Sequence, residues 1–176
     1  MIMRPGQQLL LPANPVFIWF SLIAALALNM LGNIGLFGRA AWVPDLLAVA
    51  LVFWCVHQPL RIGVGTAFFF GLAMDVHQGA LLGQHALAYT AMAFGAVAMH
   101  RRLLWFPVGQ QAVQVLPLFV VATLLQMVVR LFAGGGFSGW SHLLAPLIEA
   151  MLWPVFTVLL LAPQRRAPNP DDNRPL

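Results

Sequence analysis

Six times along the chain a run of apolar residues long enough to cross or nearly cross a bilayer is interrupted by proline, glycine or arginine. The hydrocarbon core of a membrane is about 30 Å thick and a helix rises about 1.5 Å per residue, so a span needs roughly 17–25 residues. The runs cover 16–31, 42–57, a stretch from just after Arg61 to position 74–76, 81–99, 113–132 and 143–161. The second and third are short. They predict either local thinning of the bilayer or burial inside a bundle, away from lipid. None shows the strict alternation of barrel strands, and backbone groups in lipid must bond within the segment, so helices are expected.

Composition points the same way. Of 176 residues 61% are hydrophobic and only 8% charged. A soluble domain carries roughly 25% charged residues, so this chain has too little polar surface to cover itself in water. The reading is all-α: a polytopic membrane protein, a bundle of six transmembrane helices in one domain over 1–163, with a disordered cytoplasmic tail over 164–176. The first run lacks a small-x-small cleavage pattern and is read as a retained helix rather than a signal peptide.

The charge balance of +4 comes from arginine alone, since the chain has no lysine. The arginines stand singly or in pairs between apolar runs, which marks head-group anchoring and topology and gives no nucleic-acid patch. Arg4, Arg61, Arg101, Arg102, Arg165, Arg166 and Arg174 fall on one side of the expected membrane, and Arg39 and Arg130 on the other. That asymmetry predicts cytoplasmic termini in an inner, or cytoplasmic, membrane. The lone Cys55 excludes an internal disulfide and reads as a small buried hydrophobe.

Catalytic patterns are missing. Ser138, Ser141 and His142 lie in a glycine-rich stretch without the spacing of a nucleophile elbow. Asp75, His77 and His85 lack the paired spacing of a zinc helix. No cofactor or metal site is expected. The acids of the apolar region are Asp45, Asp75 and Glu149, all on the expected outer side. Pro44 and Asp45 suit the first turn of a helix, where a carboxylate meets the positive end of the dipole. Ala67, Gly71 and Asp75 recur every four residues, so one face of the third helix should pack closely on a neighbour, with Gly79 and Gly83 continuing across a turn. Arg130, near the outer end of the fifth run, is expected to pair with Asp75, or failing that with Glu149.

At this point the ordered series resembles a known family, the rod shape-determining protein MreD. It is carried by Pro44-Asp45-Leu46-Leu47, Arg61-Ile-Gly63-Val-Gly65, Gly71-Leu-Ala-Met-Asp75, Gly79-Ala-Leu-Leu82-Gly83-Gln-His-Ala86-Leu87-Ala-Tyr89 and Leu152-Trp153-Pro154. Glu149 departs from the pattern, which leads one to expect a neutral amide. The resemblance implies a non-enzymatic subunit of the bacterial elongation machinery. It implies as partners MreC, the actin-like MreB filaments and the peptidoglycan synthase made of RodA and a class-B penicillin-binding protein. It also implies a fold similar to the S-components of energy-coupling-factor transporters, so a ligand-binding transporter subunit is the alternative.

Overall fold

The structure is a computed structural model that describes residues 13–32, 43–134, 136 and 139–164. Arg4, Arg39, Arg165, Arg166, Arg174, Ser138 and the expected disordered tail after Gln164 lie outside the described residues. Gln164 itself, expected to open the tail, ends a short 3-10 turn and is buried, with its amide donating to the Leu160 carbonyl at 3.2 Å.

The described residues form six α-helices and no strand. They are α1 Pro15–Leu31, α2 Leu46–His57, α3 Val64–Gln78, α4 Gln84–Leu103, α5 Val108–Phe132 and α6 Ala145–Leu161. Each apolar run of the sequence yields one helix. Local chemistry sets the ends. Asn14 caps α1, accepting the Val16 amide at 3.0 Å, with Pro15 in the first turn, where a missing N–H costs nothing. Gly79 closes α3 and Gly83 opens α4, at φ 60° and 103°. Both values lie where a side chain is penalised, so the turn between these helices requires glycine at both places. The α5 helix begins at Val108, earlier than the apolar run suggests, because Gln111 turns inward and bonds the Phe106 carbonyl at 2.9 Å.

The packing explains the short second run. All ten residues from Leu47 to Val56 are buried, and α1, α4 and α6 surround them. At 12 residues α2 is only about 18 Å long. It is enclosed by its neighbours, so its length need not match the bilayer. Helix α3 is different. Its Phe68, Phe69 and Val76 are exposed, while Ala67, Gly71, Met74 and Asp75 are buried as the face packed on α4. Helix α5 lies against α4 and α6.

Large apolar side chains also cover the outside. Phe20 on α1, Phe69 on α3, Val113 on α5 and Met151 on α6 are all mostly exposed. Water would not tolerate so broad an apolar surface, whereas lipid matches it. Helix α5 and the helical stretch Ser141–Gln164 are long and apolar enough to cross a membrane by length and composition, and α1 and α2 are shorter apolar helices.

Candidate functional site

Five helix ends meet on one side of the bundle: the starts of α2, α4 and α6 and the ends of α1 and α3. A helix start leaves backbone N–H groups without partners and a helix end leaves carbonyls. In an apolar surround these groups must be satisfied by the chain itself. Asn29, Asp45, Asp75, His85, Tyr89 and Glu149 gather here to do so.

Asp45 caps α2. Its Oδ1 accepts the Ala48 amide at 2.9 Å and the Asn29 side-chain amide at 2.5 Å, and its Oδ2 accepts the Tyr89 hydroxyl. Asn29 returns the contact, its Oδ1 accepting the Leu46 amide at 3.0 Å. Glu149, on α6, accepts the Asp45 amide at 3.0 Å. One residue thus joins α1, α2, α4 and α6. Pro44 stands immediately before the cap and not at the first helical position, half-buried.

Asp75 joins the remaining pair. It sits near the end of α3, and its Oδ1 accepts the His85 amide at 2.7 Å and faces His85 Nδ1 at 2.8 Å. Its Oδ2 accepts the amides of Gly83 at 2.8 Å and Ala86 at 3.3 Å. One carboxylate therefore satisfies three amides at the start of α4. The approach depends on Gly71, one turn earlier. A Cβ there would lie 2.6 Å from the Ala86 nitrogen and 2.8 Å from the His85 carbonyl carbon, both backbone atoms. The His85 and Tyr89 rings meet edge to face at 6.0 Å and connect the two halves of the junction.

The structure brings Asp45, Gly71, Asp75, Gly83 and Glu149 together, but not Arg130. Arg130 is exposed in the last turn of α5 and forms no ion pair with Asp75 or Glu149. The expected pairing is corrected: helix-start amides and an imidazole take up Asp75, and a backbone amide takes up Glu149. Asn29, Tyr89 and His85 are the junction residues that sequence reasoning missed. The signal was present for one of them, since His85 follows Asp75 across the short glycine-bounded turn between α3 and α4.

The arrangement is built for joining helices. No group of three or more metal-ligating side chains occurs among the described residues, and every oxygen of Asp45 and Asp75 already has a donor. Replacing Tyr89 with phenylalanine keeps the ring and removes one donor to the half-buried Asp45 carboxylate, so it should lower stability by about 1.5–3 kcal/mol. Thermal unfolding in detergent measures this, and an unchanged midpoint would contradict the geometry.

The fold and junction define an α-helical membrane protein whose buried polar groups serve helix assembly. The rod shape-determining protein MreD family model matches residues 13–162, and the chain belongs to that family. It is similar to the rod shape-determining protein MreD of Haemophilus influenzae, at 28% identity over 127 residues, which is 70% of this chain and 75% of that protein. No solved structure matches the chain. Glu149 uses one oxygen to accept a backbone amide, a task a neutral amide carbonyl performs equally well.

Proposed function

We propose that the chain is a non-enzymatic, six-span subunit of the bacterial elongation machinery that scaffolds MreC and the RodA–penicillin-binding protein synthase with MreB. The observation that carries the reading is the match to the MreD family across residues 13–162. The polar junction agrees with it, because both oxygens of Asp45 and of Asp75 accept internal hydrogen bonds. Depleting the protein in its native host should turn rods into spheres, and resupply should restore them. Rods that persist after depletion would refute the assignment.

The same reading sets topology: six spans forming one domain to residue 163, both termini cytoplasmic, and the junction at the outer face. Reporters fused at position 136 and at the C-terminus should therefore report opposite sides. Reports from the same side would remove the six-span arrangement.

A further inference from the structure

The described chain has three carboxylates, Asp45, Asp75 and Glu149, and all three lie at the junction end. The opposite end holds Arg61, Arg101 and Arg102, each of them exposed. Three of the four described arginines thus stand where no described acid can neutralise them. Arg61 is partly engaged, donating to the Ala13 carbonyl at 3.2 Å. Arg101 and Arg102 close the last turn of α4 and form no ion pair among the described residues.

Apolar side chains project beside these charges. Trp105, in the turn that joins α4 to α5, is 89% exposed, and Leu60, in the turn that joins α2 to α3, is fully exposed. In open water a tryptophan and a leucine so displayed would be unfavourable. In a membrane interface the indole finds a suitable depth and the guanidinium groups meet phosphates.

We infer that the α2–α3 and α4–α5 turns form a docking rim for anionic phospholipid head groups, with Arg101 and Arg102 taking the phosphates and Trp105 and Leu60 seated at the glycerol level. Charge complementarity selects this occupant. Among the described residues the rim is cationic and carries no acid, and it stands at the ends of the membrane helices, at the level of the lipid head groups. Guanidinium forks bind phosphate oxygens in pairs. The rim distinguishes lipids by charge, while the tryptophan adds affinity that is indifferent to charge.

The test uses the full chain in detergent, titrated with phosphatidylglycerol or with phosphatidylcholine and read by native mass spectrometry. The wild type should retain phosphatidylglycerol preferentially. Each arginine near a lipid surface contributes about fivefold, so Arg101→Gln with Arg102→Gln should lower phosphatidylglycerol retention by about 25-fold and leave phosphatidylcholine unchanged. Trp105→Ala should lower both lipids alike. Arg130→Gln, at the other end, should change neither. Arg101→Lys with Arg102→Lys keeps the charge and should retain most of the preference, which separates lost recognition from lost folding. Equal retention of the two lipids by the wild type would overturn the inference, as would a lysine pair that behaves like the glutamine pair. An acidic protein partner at this rim would give that equal retention.

Discussion

Asp75→Ala should cost on the order of 3 kcal/mol or more, since each buried donor left without a partner costs about 1–3 kcal/mol. The carboxylate accepts the Gly83, His85 and Ala86 amides and contacts the His85 imidazole. Alanine leaves three helix-start amides in an apolar surround with no water to take them. Asp75→Asn should cost less, because one side-chain oxygen still accepts. Unfolding in detergent micelles gives the order: wild type most stable, then asparagine, then alanine. Arg130→Ala should leave stability unchanged, and combining it with Asp75→Ala should give additive losses, as for residues that do not touch. A coupling above about 0.5 kcal/mol would restore the ion pair that the structure lacks.

Gly71→Leu should abolish folding of the α3–α4 hairpin, and Gly71→Ala should already weaken it. Two effects compete in the alanine variant. Alanine favours a helix interior over glycine by about 1 kcal/mol. Against that, its Cβ would meet Ala86 and His85 backbone atoms, at 2.6 and 2.8 Å for the Ala86 nitrogen and the His85 carbonyl carbon. Backbone cannot rotate aside as a side chain does, so α3 and α4 must separate. Overpacking of this kind typically costs about 1–3 kcal/mol and occasionally more. Separation would also lengthen every hydrogen bond to Asp75, so packing outweighs propensity. Gly65 provides the control on the same helix, since nothing lies within 4 Å of a Cβ there. Gly65→Ala should be neutral or slightly stabilising. Steady-state abundance in cells and midpoints in detergent should both follow that order, and a tolerated Gly71→Leu would show that the close approach is wrong.

The helices were legible because lipid imposes a length and a polarity that the chain displays openly. Pro44 and Asp45 marked the start of α2, although the structure sets Asp45 at the cap and Pro44 before it and not in the first turn, and the buried face of α3 followed from the spacing of Ala67, Gly71 and Asp75. The partner of Asp75 was misread for a physical reason. A carboxylate in an apolar run suggests an opposite charge, and Arg130 lay at a similar expected depth. The start of α4, eight to eleven residues further on, offers its own unpaired amides, and these compete at lower cost because they need a partner in any case. Tyr89 and Asn29 were harder to place. Each acts across helices whose mutual rotation depends on α2 being enclosed, and no periodicity in the chain encodes that enclosure.

Scaffolding of the elongation machinery is tested most directly by affinity capture of the chain from its native membrane in mild detergent, with mass spectrometry of the proteins that co-purify. The account predicts recovery of MreC together with components of the peptidoglycan synthase, and loss of that recovery with Gly71→Leu at matched abundance. Recovery of an ATPase transporter module in place of MreC would contradict it and would assign the chain to ligand uptake.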